Sequence, residues 1–194
     1  MDKAYTYEEL DEAAKAQARE WYANTIENVA AESSWSESVL EHVVEVGKAL
    51  NIAIDKRGTV PAISFDLNPI DCAIEGRWSS TGFDPQKAPK EYPDPEIAKI
   101  AATLKAVVQE AGEDGAYVDC SNPRGCNLSL RSNSEEAEEA IREFCGWAAS
   151  SINREWEWLH SPEKRAEEIE LGGYKFTEDG EPHDGLEEER GMAR

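Results

Sequence analysis

The chain has 194 residues, 40% of them hydrophobic, which is enough for one well-buried core and hardly for two. Lys and Arg total 20 against 41 Asp and Glu, giving a net charge of −21. That imbalance excludes the basic footprint expected of a protein that binds nucleic acid or an anionic membrane directly.

Thr6 followed by Glu9 reads as a capping box and predicts that a first helix starts there. Leu10, Ala14, Ala18, Trp21, Tyr22, Thr25 and Val29 recur at helical spacing as its inward stripe, leaving Glu8, Asp11 and Glu12 toward water. Ser34 and Glu37 repeat the capping signal ahead of Val39, Leu40, Val43, Val46 and Leu50, with Gly47 inside this second helix as a close-packing residue or a weak point. The period then changes to two. Ile52/Ile54, Ile63/Phe65/Leu67 and Cys72/Ile74/Gly76/Trp78 alternate around turn chemistry at Asn68-Pro69, predicting a short antiparallel meander.

Ser79 to Pro93 carries Pro85, Pro89 and Pro93 and reads as an extended loop. Asp94-Pro95 opens a third helix, buried through Ile97, Ile100, Ala101, Leu104, Val107 and Val108 and stopped at Gly112. Tyr117–Cys120 and Cys126–Arg131 read as a second hairpin with Arg124 at its tip. Ser132 with Glu135 is a third capping box. It opens the longest helix, whose inner side carries Ala137, Ala140, Ile141, Phe144, Trp147, Ala148, Ser151 and Ile152. Ser161-Pro162 starts a short helix ending near Gly172-Gly173, and Tyr174–Thr177 follows as a candidate edge strand. The order predicts an α+β fold, a small antiparallel sheet of four to six strands against four to five helices. Residues 1–177 form the single expected domain and 178–194 an acidic, disordered tail.

The chemistry-bearing motifs are absent. There is no phosphate-binding or dinucleotide-binding glycine loop, no HExxH helix and no CxxC pair. His42, His160 and His183 stand alone, and Cys120 with Cys126 supplies only half of a tetrahedral zinc site, so no metal or cofactor is expected. His42 with Cys72 has nothing in the sequence to bring it together as a nucleophile pair. Four scattered cysteines make no disulfide framework, no apolar run is long enough to span a membrane, and the first residues lack an export signal. A cytoplasmic, non-enzymatic protein is the expectation.

The charge is uneven: residues 1–50 carry −7, 51–132 only −3, and 133–194 carry −11. Glu135, Glu139 and Glu143 form an i, i+4 row with Glu136 beside it, their spacing along the axis being about 6 Å. One duplex strand shows a phosphate about every 3.4 Å, so two helical rows are needed to approach that density. The first and last helices, packed side by side, are the expected pair. Trp156 and Trp158 lie two apart and cannot both face the same way, which puts one of them at the surface or against the last helix; exposed, it stands beside Glu155 and Glu157. The candidate partner surface is therefore Glu135, Glu136, Glu139, Glu143, Glu155, Glu157 and Trp158, with Glu8, Asp11 and Glu12. A solvated face tuned for solubility is the competing reading.

Tyr7-x-x-Leu10-x-x-x-Ala14-Lys15-x-x-Ala18-x-x-Trp21-Tyr22, with the late Tyr174-Lys175-Phe176-Thr177-Glu178-Asp179-Gly180, resembles small acidic phage and prophage accessory proteins labelled antitoxin-like or uncharacterised. The resemblance covers the two ends of the chain and implies a phage setting. It extends by analogy to anti-defence inhibitors of CRISPR effectors and restriction enzymes, which cover basic channels. The partner expected is thus a host protein with a basic nucleic-acid-binding surface. A toxin-neutralising antitoxin, an enzyme of unrecognised type, and a phage component that self-associates through the edge strand are the alternatives.

Overall fold

A computed structural model describes residues 3–27, 35–83, 94–121 and 127–183. Among them the chain is mixed α+β, with five α-helices, one four-stranded antiparallel sheet and two two-stranded sheets. It divides into two compact units: a central unit of residues 36–155, and a terminal unit that joins residues 1–35 to 156–194. None of the described helices is long and apolar enough to cross a membrane.

The central unit begins with α2 (Glu37–Ala49), the second helix in chain order, and continues through β1 (Ile52–Ile54), β2 (Lys56–Arg57), β3 (Val60–Pro61), β4 (Ile63–Leu67), β5 (Ile70–Ile74) and β6 (Gly76–Ser79). Helix α3 (Pro95–Glu110), β7 (Tyr117–Ser121), β8 (Ser129–Ser132) and α4 (Glu135–Leu159) follow, the last running on into the terminal unit. The sheet order is β1-β6-β7-β8, so β1 pairs not with its successor but with β6, and β2–β3 and β4–β5 are hairpins inserted between them. One register row runs Ile52, Trp78, Val118, Ser132 across the four strands. Trp78 is fully buried and its indole N–H donates to the Leu50 carbonyl at 3.1 Å, so the polar end of a large apolar side chain is satisfied inside the core.

The apolar stripes read from the sequence face inward. Ile97, Ile100, Ala101, Leu104 and Val107 of α3 are buried, as are Ala137, Ala140, Ile141, Phe144, Trp147, Ala148, Ser151 and Ile152 of α4. Each fully buried Leu, Ile or Phe among them contributes about 1.5–3 kcal/mol. Asp94 caps α3 by accepting from the Glu96 N–H at 2.9 Å, and Pro95 occupies the first turn, where a missing N–H is harmless. Gly47 is small because of packing: a Cβ there would approach Ile54 Cδ1 to 3.3 Å.

The terminal unit holds a 3-10 turn (Tyr7–Glu9), α1 (Glu12–Tyr22) continued by a π turn (Ala23–Glu27), and α5 (Pro162–Gly172). Tyr7, Leu10, Ala14, Ala18, Ile169 and Phe176 form its core. Tyr5 and Phe176, from opposite ends of the chain, exchange two backbone hydrogen bonds of 2.9 Å. Trp21 packs edge-on against Tyr174 and Phe176 at 5.4 and 5.7 Å. Ser161 caps α5 through the Lys164 N–H at 3.1 Å, and Gly173 ends it in the left-handed conformation, which glycine adopts without steric cost.

Several expectations need correction. The Thr6/Glu9 box is present, with Glu9 accepting from the Thr6 N–H at 2.7 Å, but it closes only the 3-10 turn; α1 starts at Glu12 under an Asp11 cap. Thr25 is exposed and Val29 lies outside the described residues. The second helix has Ser36, not Ser34, at its N-cap position, and Ser34 too lies outside the described residues. Helix α3 ends at Glu110 with Ala111 already extended, before Gly112. At the start of α4 the capping serine is Ser134, whose hydroxyl accepts from the Ala137 N–H at 3.2 Å; the Ser132 hydroxyl instead lies within hydrogen-bond reach of the Tyr117 and Ser134 carbonyls, 2.9 and 2.7 Å away. The edge strand over Tyr174–Thr177 is reduced to Phe176, which bridges Tyr5 on one side and Pro182 on the other and so offers no free edge for self-association. The first part of the expected tail is structured: the Thr177 N–H donates to Glu181 and the His183 N–H to Lys175, and a Cβ on Gly180 would lie 2.1 Å from the Ala14 carbonyl oxygen. Residues 184–194, residues 84–93 of the expected loop, and the hairpin tip with Arg124 and Cys126 lie outside the described residues.

Candidate partner-binding surface

Helices α3 and α4 run antiparallel, since Glu110 at the end of α3 shares a hollow with Glu135 and Glu136 at the start of α4, while Glu96 at the start of α3 shares one with Gly146 and Ser150 farther along α4. Two hollows follow this pair, of about 270 and 330 Å³, and a third of about 530 Å³ lies beside the start of α4, away from α3. The carboxylates on their walls are Glu96, Glu110, Glu135, Glu136, Glu138, Glu139 and Glu143, against the cations Lys99 and Arg142.

The acids are not equivalent. Glu138 pairs with Arg142 one turn on, at 2.8 Å, and half-buried Glu143 pairs with Lys99 of α3. The hydrogen bond and charge of Glu143 hold the Lys99 ammonium above its ordinary pKa, aided by Glu139 and Glu96. Glu110, Glu135, Glu136 and Glu139 are exposed and have no salt-bridge partner among the described residues. Deeper in the pair, Asp94 also accepts from the Trp147 indole N–H at 2.8 Å. Burial works to raise its pKa, but the indole, the Glu96 and Ile97 N–H groups and Arg154 outweigh burial and hold it below the usual carboxylate range.

The ten residues singled out from the sequence are divided five and five between the units. Glu135, Glu136, Glu139, Glu143 and Glu155 belong to the central unit, with Glu155 half-buried; Glu8, Asp11, Glu12, Glu157 and Trp158 belong to the terminal unit. There, Asp11 is committed to capping α1 at the Ala14 N–H, and Glu12 pairs with Lys15 at 3.4 Å. Glu8 and Glu157 are exposed. Trp158 is the outward member of the Trp156/Trp158 pair, 50% exposed, while Trp156 packs on Trp35 at 5.1 Å and meets the tilted ring of His160 at 3.6 Å. Within the central unit α3 adds two separate carboxylates, Glu96 at its start and Glu110 at its end. Sequence reading missed both, because each looks like an ordinary helix-end residue until the antiparallel pairing is known.

Among the described residues no three His, Cys, Asp or Glu side chains gather as metal ligands do. Cys72, Cys120 and Cys145 are buried and not joined in disulfides, and burial pushes Cys120 and Cys145 up to about 12, far from the thiolate a nucleophile needs. The ring of His42 lies 5.8 Å from that of Trp147.

No protein-family model, curated protein or solved structure matches the chain.

Proposed function

We propose that the chain is a non-catalytic, phage-encoded inhibitor that acts in the host-cell cytoplasm. It docks the acidic α3–α4 surface on a basic, nucleic-acid-handling surface of a host defence complex, a CRISPR effector or a restriction-type enzyme. The observation that carries this reading is Glu110. It is the last residue of α3, where the negative end of the helix dipole disfavours a carboxylate, and it shares a hollow with Glu135 and Glu136. Helix electrostatics explains acids in the first turn of α4 but opposes one at the end of α3, and like charges along a helix cost a few tenths of a kcal/mol per pair. At that end of the helix pair α3 adds one carboxylate to the two of α4, so the charge is denser there than on α4 alone. Such a surface steers a basic partner and gives salt-sensitive association.

The test is capture of binding proteins from host lysate by the full chain at low and high salt, with mass spectrometry of what elutes. Enrichment of a nucleic-acid-handling protein that salt releases is the expected result. Capture that survives high salt, or of proteins without a basic surface, overturns the reading.

A further inference from the structure

Gly146 lies in the middle of α4, where glycine is the least helix-favouring residue short of proline. No atom lies within 4 Å of the place its Cβ would occupy, so its smallness serves no contact inside the protein, in contrast to Gly47. The space above Gly146 is a groove of about 330 Å³, lined by Glu96, Lys99 and Ile100 of α3 and by Glu143, Trp147 and Ser150 of α4. Its floor is apolar, since Ile100 and Trp147 are buried core residues that reach it from below. Its rim carries two carboxylates, Glu96 and Glu143, against the cation Lys99, which Glu143 holds in a salt bridge.

We propose that this groove seats an arginine side chain of a partner protein. The aliphatic stem crosses Gly146 above Ile100 and Trp147, and the guanidinium takes the carboxylates of Glu96 and Glu143, displacing Lys99 from Glu143. An apolar floor with an acidic rim fits a long side chain whose stem is hydrophobic and whose head is a rigid cationic fork. Arginine is also among the residues that most often anchor interfaces. This inference rests on the acidic-surface reading above and adds the position of its anchor.

The experiment is titration of the ¹⁵N-labelled full chain with a hexa-arginine peptide at low salt. The Gly146 and Ser150 amides and the Trp147 indole N–H are expected to shift together and saturate. Gly146→Leu, which fills open space, should keep the thermal midpoint of the wild type or raise it and weaken binding at least tenfold; Ser150→Leu gives the same block from the groove wall if Gly146→Leu does not fold. Lys99→Met should tighten binding at least threefold. A folded blocking variant that binds as tightly as the wild type overturns the groove. If charge reversal at Glu135, Glu136 and Glu139 abolishes binding while the blocked groove does not weaken it, the groove fails and the acidic surface stands. If neither change weakens binding, both fail.

Discussion

The indole N–H of Trp147 and the carboxylate of Asp94 join the middle of α4 to the start of α3 at 2.8 Å, while the other carboxylate oxygen caps α3 through the Glu96 N–H. One side chain thus fixes both the helix start and the helix pairing on which the acidic surface depends. Asp94→Ala removes a cap and leaves a buried indole N–H unpaired, so unfolding in urea at pH 7 should show a loss of about 2 kcal/mol. Asp94 has a lowered folded pKa, so its contribution is complete above its unfolded value and is lost as pH falls through the folded one. The gap between wild type and Asp94→Asn should therefore narrow below about pH 4. A gap that stays constant down to pH 2 would show that the charge of Asp94 plays no part.

Two glycines should respond in opposite directions to the same change. Gly76 brings β6 so close to β1 that a Cβ would lie 2.0 Å from the Ala53 carbonyl oxygen, a backbone atom that cannot swing away. Gly76→Ala should cost about 3 kcal/mol through overpacking. Gly146→Ala meets nothing and should stabilise by about 1 kcal/mol through helix propensity. Denaturant midpoints of the two variants measure both effects, and equal signs would contradict the local geometry.

Phe176 is fully buried at the junction of the chain ends, and Phe176→Ala should destabilise the terminal unit by about 4 kcal/mol. Leu171 on α5 is 74% exposed, and Leu171→Ala should fall within about 0.5 kcal/mol of wild type. Near-UV circular dichroism during unfolding reports this unit through Trp21 and Tyr174, which pack at 5.4 Å.

With the Cys120 and Cys145 thiols at about 12, the native chain at pH 8 should react slowly with a disulfide reagent at these positions and rapidly once unfolded. A Cys126→Ser background removes the thiol outside the described residues. Fast native labelling of Cys120 or Cys145 would contradict their burial.

What the sequence disclosed follows from the range of the interactions. The buried stripes of α3 and α4 and the starts at Asp94-Pro95 and Ser161-Pro162 depend on residues a turn apart, so local spacing is enough to read them. The caps near Ser132 and Ser134 show where local rules lose resolution: Ser132 has a glutamate three residues on, but the Ser134 hydroxyl is the one that meets an orphan N–H. The pairing of β1 with β6 and of Tyr5 with Phe176 joins segments far apart in sequence, and no periodicity encodes such partners. The same holds for the surface. Glu143 and Glu139 look alike on a helical wheel, yet Lys99, 44 residues from Glu143, pairs with that glutamate alone. Gly146 differs from Gly47 only in what surrounds it, which no motif records.

The central claim is that the unpaired carboxylates of the α3–α4 surface are read by a basic partner. It is tested most directly by calorimetric titration of the captured host protein with wild type and with the variant carrying Glu135→Lys, Glu136→Lys and Glu139→Lys, at low and high salt. The variant should keep its fold, bind about 100-fold more weakly at low salt, and show a flattened salt dependence. Unchanged affinity with an unchanged salt slope would contradict it.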